Sequence, residues 1–373
     1  MKKIVHVLGI VVVLMSFSEI SFAQGGASAV PFLLISPTSR ASGMGEGGVA
    51  FADDASAIHW NPAGLAFQKG SEASITHANW LPQFHLSDLF YDYFNYKQDV
   101  PEFSGTVAAD ITYLNLGEFI ITSEKDPTPI GKFKGFEVAV TAGYGTLLTD
   151  ELGLGLNLRF INSSLSPIGT AQEKGSGIAY NIAGDIGILY RPKHLVLPFL
   201  DEDIGNYFTA GANLSNLGPK VVYIDAAQAD PMPTTLRVGI GVIPMFDEFN
   251  ELNISFDFSR LLVQRNNDNT SDPLPKSLIT SFTKPSFDKV LKTINSSIGL
   301  EYWYKADGKK LIALRTGYFW EDPSFGNRNF MTFGAGIRYD IYGFDFSYIS
   351  AKEENSPLSD TLRFTLLILW GMM

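Results

Sequence analysis

The chain is patterned with a period of two. In Leu152–Phe160 (LGLGLNLRF), Leu152, Leu154, Leu156, Leu158 and Phe160 alternate with Gly153, Gly155, Asn157 and Arg159. Leu252, Ile254, Phe256 and Phe258 oppose Asn253, Ser255 and Asp257. Tyr342, Phe344, Phe346 and Tyr348 oppose Gly343, Asp345 and Ser347. Near the end, Leu362, Phe364, Leu366, Ile368 and Trp370 oppose Arg363 and Thr365. Successive side chains of a β-strand point to opposite faces, so each segment reads as a strand with one apolar and one polar or small face.

Fourteen strands are expected, near 71–79, 106–115, 117–123, 135–145, 151–161, 180–190, 206–215, 234–243, 251–260, 294–304, 309–319, 328–338, 341–350 and 360–370. A soluble sandwich with one wet face shares this alternation. Three features favour a transmembrane antiparallel β-barrel, an all-β fold. The segments run about ten residues, enough to cross a bilayer at a tilt. Tyr180, Tyr190, Tyr302, Tyr304, Trp320, Tyr339 and Tyr348 fall near segment ends, as interfacial girdles do. The chain also closes on an aromatic-rich amphipathic strand, Thr361 to Trp370. The connections alternate long and short, as 81–105 and 261–293 against Leu148-Thr149-Asp150 and Lys305–Gly308. Long extracellular loops and short periplasmic turns produce that parity. The connection 191–205 breaks it, being too long and apolar for a plain turn.

Inward-facing positions carry Asp185, Arg237, Asp257, Arg338, Asp345 and Arg363. Lipid would penalise an outward Arg by roughly 2–4 kcal/mol at the midplane, so inward charges follow without a ligand. Composition sharpens the location. Lys2 and Lys3, the apolar run Ile4–Phe17 and Ser21-Phe22-Ala23 before Gln24 form a secretory signal peptide, residues 1–23. Without Lys2, Lys3 and Glu19 the 28 basic and 39 acidic residues fall to 26 and 38, a net charge of −12. An acidic chain with no clustered Lys or Arg is a poor partner for nucleic acid. There is no cysteine, so no disulfide supports the exported fold.

Candidate chemistry is sparse. GMGEGG (Gly43–Gly48) matches a dinucleotide pattern but lacks the strand–helix setting that motif needs, and is expected to be a flexible loop. No G-x-S-x-G occurs, and His59, His77, His85 and His194 show no metal spacing. His77 and His85 beside Ser87 and Asp88 are too cheap a grouping to define an esterase. No cofactor, metal or catalysis is expected. The aromatic stretch His77–Tyr96 is expected to be an exposed loop, with Trp80, Leu81, Phe84, Leu89, Phe90, Tyr91, Tyr93 and Phe94 as a candidate partner-contact surface or as outer-leaflet anchors. In the 261–293 loop, Ser286–Thr293 reads as a short amphipathic helix.

One segment does not alternate. DDASAIHWNPAGLAFQKG (Asp53–Gly70) combines turn and cap formers, Asp53, Asp54 and Ser56, with a Pro62 that biases Asn61 to extended backbone and a Gly64 that permits a tight path. Ile58, Trp60 and Leu65 offer an apolar core able to wedge into a lumen. The acidic pair has too few neighbouring oxygens for a calcium site.

Ser39–Ala66 (SRASGMGEGGVAFADDASAIHWNPAGLA) resembles the start of long-chain fatty-acid-transporter-type outer-membrane barrels. Those begin with a plug carrying an Asn-Pro-Ala motif, matched by Asn61, Pro62 and Ala63. With PFLLISPTSRASGMGEGGVA and HANWLPQF added, the front of the chain is similar to the PorV family of the type IX secretion system. The hatch alone would also fit the related PorQ. The resemblance implies three parts: signal peptide 1–23, hatch 24–70 with Asp53, Asp54, Trp60, Asn61, Pro62, Ala63 and Gly64 as structural residues, and an outer-membrane barrel 71–373. It implies a non-enzymatic docking and shuttle role. The expected partners are a large translocon pore protein, the C-terminal signal domains of exported cargo, a PorU-like sortase of the attachment complex, and membrane lipid and lipopolysaccharide. The alternative is uptake of a hydrophobic small molecule through the barrel.

Overall fold

The computed structural model describes residues 28–84, 88–122, 128–167, 176–198, 202–266, 268, 270–353 and 356–371. The expected signal peptide lies outside them, as does His85. Fourteen antiparallel strands close into one barrel: β1 (Ser71–Asn79), β2 (Phe90–Val100), β3 (Gly105–Thr122), β4 (Pro129–Thr149), β5 (Leu152–Ser166), β6 (Gly177–Tyr190) and β7 (Phe208–Leu217) make the first half. The second half is β8 (Thr235–Phe246), β9 (Asn250–Leu261), β10 (Ile294–Ala306), β11 (Lys309–Trp320), β12 (Asn329–Tyr339), β13 (Tyr342–Ala351) and β14 (Leu362–Trp370). Each strand pairs with its sequence neighbours, and β14 closes on β1 from Ser71↔Trp370 to Ala78↔Arg363.

The strand total agrees with expectation through two compensating errors. The expected loop 81–105 contains β2, and the expected strands 106–115 and 117–123 are one strand, β3. β2 (FYDYFNYKQDV) was hidden because both faces carry aromatics: Phe90 and Phe94 face outward, while Tyr91 and Tyr93 are fully buried in the lumen. With apolar rings on both sides, alternation loses its contrast. β3 looked broken because Gly117 sits at φ +83° at a bulge against β4, where the register shifts after Asn115. The expected loop parity survives, since the misread strands lie between the same two odd connections. The 191–207 connection is a long periplasmic-side feature, closed by the bridge Val196↔Asp203 and tied to the β4–β5 turn by Lys193 Nζ on Asp150 at 2.7 Å.

Outside faces are apolar, with Leu158 and Leu366 among the most exposed side chains. Tyr96 stacks on Trp370, and Tyr190, Tyr304, Tyr339 and Tyr342 sit at the same turn-bearing end, a girdle at the inner interface. All six expected inward charges project into the lumen, and Arg363 is the largest fully buried side chain.

Candidate functional site

The lumen is occupied by the chain's own N-terminal segment. The described part begins at the extracellular end, where Ala29 N–H donates to Pro231 O at 3.0 Å and Val30, Phe32 and Leu33 pack on Tyr91, Tyr93, Leu114, Val221 and Met232. It descends through α1 (Ser39–Gly43) and α2 (Ala57–Trp60), then a 3-10 turn (Pro62–Phe67) that leads into β1 at the periplasmic end.

The wall is shaped for this backbone. A Cβ on Gly155 would lie 2.0 Å from the Pro62 carbonyl carbon, and one on Gly145 2.7 Å from Leu65 Cβ. The glycines of LGLGLNLRF therefore face inward because the Asn-Pro-Ala turn lies against them, a space no larger residue leaves. Asn61 supplies the matching hydrogen bonds. Its Nδ2 donates to Ile188 O at 2.9 Å on β6 and to Val49 O at 3.3 Å, and its Oδ1 accepts from Ala63 N–H at 3.2 Å. Pro62, at the start of that turn, forfeits no needed donor. Ala63 and Leu65 are fully buried, and Gly64 packs on Ala52. GMGEGG is likewise a packed turn and not a flexible loop. Gly45 at φ +68° presses on Ile298 and Tyr318 of the wall, and Gly48 lies on the Trp60 ring.

Charges bind the segment to the wall. Arg40 on α1 donates Nε and Nη2 to the two oxygens of Glu301 at 2.8 and 2.7 Å, a bidentate pair. Its Nη1 reaches Asp53 and Asp54. Glu301 also accepts from Arg315 Nε at 2.7 Å, Arg315 pairs with Asp345 at 2.7 Å, and Asp345 with Arg338 at 2.7 Å. The Trp303 ring lies 5.3 Å from Arg315 and 5.1 Å from Arg338. The acidic pair thus serves an ion-pair chain from plug to wall, and Asp54 Oδ1 also accepts from Ser56 N–H at 2.9 Å as a turn former. Ser56 itself caps nothing at α2. A second network joins Arg159, Asp185 and Asn216: Arg159 Nη2 donates to Asp185 at 2.9 Å, and Asn216 N–H to Asp185 at 2.7 Å. Sequence reasoning missed Arg40, Arg159, Asn216, Glu301 and Arg315. For Arg159, Glu301 and Arg315 the one available signal was charge at inward strand positions, which says nothing about pairing across strands; Arg40, on the plug helix, and the uncharged Asn216 lacked even that.

The cavities have mixed charged and apolar walls. A space of about 520 Å³ at the periplasmic end is lined by Arg40, Asp53, Asp54, Glu72, Lys310 and Arg338 on one hand and by Trp303, Leu367, Leu369 and Trp370 on the other. Another of about 270 Å³ borders Asp53, Arg191 and Glu251. No group of three or more His, Cys, Asp or Glu side chains able to hold a metal occurs among the described residues.

Exposed apolar surface also lies on the extracellular rim. The β3–β4 hairpin rises past its neighbours, because β2 pairs β3 up to Asn115 and β5 pairs β4 from Phe136. On that free ribbon Phe119 stacks on Phe133 at 5.1 Å, and Ile120 and Ile130 are 59% and 68% exposed. The loop after β9 folds into α3 (Lys276–Thr283) and α4 (Phe287–Lys292), the second close to the expected helix and capped by Ser286 Oγ on Lys289 N–H. They present Ile279 (67%), Phe287 (76%) and Leu291. Asp272 braces this loop through Lys284 at 2.9 Å and Lys276 at 3.1 Å, and those hydrogen bonds, Lys284 first, hold its carboxyl below the ordinary range.

The proposed contact loop is corrected in part. Trp80, Leu81 and Phe84 do lie in the β1–β2 connection, where Trp80 packs on the lumenal cluster and Phe84 is exposed. Leu89 is buried, and Phe90, Tyr91, Tyr93 and Phe94 belong to β2. Tyr91 and Tyr93 point inward, where no external partner reaches them. His77 faces outward and pairs with Asp92 at 2.7 Å on the neighbouring strand.

Closed sheet, apolar belt, aromatic girdle and filled lumen define an outer-membrane β-barrel plugged by its own N-terminal segment. The sequence matches the family described as Type IX secretion system protein PorV over residues 23–268, most of its length. The chain belongs to the PorV family, and is an outer-membrane component of type IX secretion that works with other proteins of that system. None of the curated proteins compared matches it. Among solved structures it is similar to the Ralstonia pickettii toluene transporter TbuX at 14% identity, covering 90% of this chain and 98% of that one with TM-score 0.46. The P. putida toluene transporter TodX gives 11%, 90% and 99% with TM-score 0.49. A Pseudomonas aeruginosa FadL homologue gives 13%, 90% and 98% with TM-score 0.47.

Proposed function

We propose that this barrel is a docking and shuttle platform. It binds the C-terminal signal domain of cargo emerging from a large translocon pore and passes it to a PorU-like sortase at the surface attachment complex. The observation that carries the reading is where apolar surface sits. The large cavities inside mix charged groups such as Arg40, Asp53, Glu72 and Lys310 with apolar ones such as Trp303, Leu367 and Phe208, whereas exposed Ile and Phe crown the extracellular ribbon and the α3–α4 loop. Exposed apolar patches on an extracellular rim suit protein contact. A hydrocarbon pathway needs an apolar pocket between plug and wall, and the carboxylates and guanidinium groups that share the walls of both cavities weigh against that alternative. The segment 28–70 acts as a structural plug, held by Asn61, Arg40 and the glycine-lined wall, so folded cargo travels beside the barrel and not through it. Deleting the gene is expected to leave type IX cargo in the periplasm with uncleaved C-terminal domains. Normal surface display of cargo in that strain would refute the proposal.

A further inference from the structure

The plug does not fill the lumen evenly. Against β4–β6 it packs on the glycine-lined wall, but along β8–β14 it leaves spaces. The cavity of about 520 Å³ lies at the periplasmic end, and a second of about 70 Å³ lies in the extracellular half, bordered by Glu46, Trp60, Arg237, Asp257 and Arg328 among others. Between them sit two pockets of about 10 Å³, each the size of a single water. Their walls are shared. Arg40, on α1, borders the large cavity and both small pockets. Trp60, at the end of α2, borders one small pocket and the extracellular space. Two side chains thus divide a string of cavities that runs from the periplasmic end into the extracellular half.

Each divider is held in place from several sides. The Arg40 guanidinium is gripped by both oxygens of Glu301 at 2.8 and 2.7 Å and by Asp54 at 3.0 Å. A guanidinium fixed in a constriction fills it and repels any cation that approaches. The Trp60 ring lies across Gly48, where a Cβ would fall 2.6 Å from it, and the Arg237 guanidinium carbon stands 5.6 Å from the ring centre. Asn213 Nδ2 donates to Trp60 O at 2.9 Å and ties the backbone beneath the ring to β7. The walls beside these dividers have the character of wet surfaces. Trp60 Nε1 and Asp257 Oδ2 are buried without a hydrogen-bond partner among the described residues, whereas buried polar atoms ordinarily bond to protein or to ordered water.

We propose that Arg40 and Trp60 are two seals in series on an ion pathway through the plug. The barrel is made tight to ions by these two side chains, and not by solid packing of the segment. Removing one leaves the other closed; removing both joins the string of cavities while the plug backbone stays where it is. Without Arg40 the carboxylates of Asp53, Asp54 and Glu72 border the periplasmic mouth unopposed at that point, so the current is carried by cations. The inference concerns the seal alone and stands whether or not the barrel docks cargo.

Planar-bilayer recording of the purified full-length protein tests it. Wild type is expected to stay closed, Arg40→Ala and Trp60→Ala to pass little current, and the double variant to conduct about tenfold or more above either single one, as two barriers in series require. In a potassium chloride gradient its reversal potential should favour potassium. A dislodged plug would also leak, and a cross-link separates the two cases. Ser39 Oγ and Thr365 Oγ1 lie 2.9 Å apart and the chain has no cysteine, so Ser39→Cys with Thr365→Cys ties α1 to β14 by a single disulfide. The current of the double variant should survive that cross-link. Current that disappears on cross-linking, or a double variant as tight as wild type, would overturn the proposal. Ser56→Cys gives a second reading that needs no change at Trp60. Ser56 is buried and borders both small pockets with Arg40, so a charged methanethiosulfonate added from the periplasmic side should label Cys there about tenfold faster once Arg40→Ala is introduced. Equal labelling rates would count against Arg40 as a seal.

Discussion

Gly155 shows how a single residue ties sequence to fold and fold to function. Its side of β5 reads as merely non-apolar, yet the Asn-Pro-Ala turn presses so closely that a Cβ there would lie 2.0 Å from Pro62. Gly155→Val is expected to push the plug off the wall at a cost of roughly 1–3 kcal/mol, the usual range for overpacking. The barrel itself should persist. Leu156→Val, one residue along but lipid-facing, should be nearly neutral. Denaturant titration reads the stability, and planar-bilayer conductance reads the loosened plug; equal behaviour of the two variants would show that the close approach carries no energy. Asn61 is the complementary case. Its conformational bias was legible from the following proline, but its three hydrogen bonds to β6 and to its own segment required the closed barrel to bring them together.

At the scale of elements, strands with one apolar and one polar face were legible, because the bilayer enforces that contrast along most of the wall. Legibility failed where the environment inside the lumen departs from water. β2 faces an apolar plug, so Tyr91 and Tyr93 look like the outward Phe90 and Phe94. The plug–wall ion pairs were illegible for another reason: Arg40 and Glu301 are 261 residues apart, and nothing local specifies their meeting. Two elements outside the membrane carry predictions. Shortening the free ribbon by removing 117–134 should leave barrel folding and outer-membrane insertion intact, as judged by heat-modifiable gel mobility, while weakening copurification of secretion partners. Unchanged copurification would move the contact surface elsewhere on the rim. In the 191–207 connection, backbone N–H groups of Leu195 and Gly205 with the His194 ring hold the Asp203 carboxyl down at about 2. Because the folded value is depressed, its stabilisation is complete above the ordinary value of 3.8 and is lost as pH falls through about 2. Asp203→Asn should therefore raise protease sensitivity of this connection at pH 7 and have little effect near pH 2. An equal effect at both values would contradict the assignment.

For the whole molecule, the wall is lipid-adapted outside, the plug is tied to the wall by paired charges and close backbone contacts, and exposed apolar groups crown the extracellular ribbon and the α3–α4 loop. That distribution, in a chain of the PorV family, supports the proposed docking platform over the alternative of a hydrophobic-solute channel. The most direct measurement is affinity isolation of the tagged chain from outer membranes of a secreting strain, followed by mass spectrometry of proteins and bound small molecules. The account predicts recovery of a large pore protein together with cargo that still carries its C-terminal signal domain. Recovery of the barrel with stoichiometric fatty acid or hydrocarbon, and with neither pore nor cargo, would contradict it.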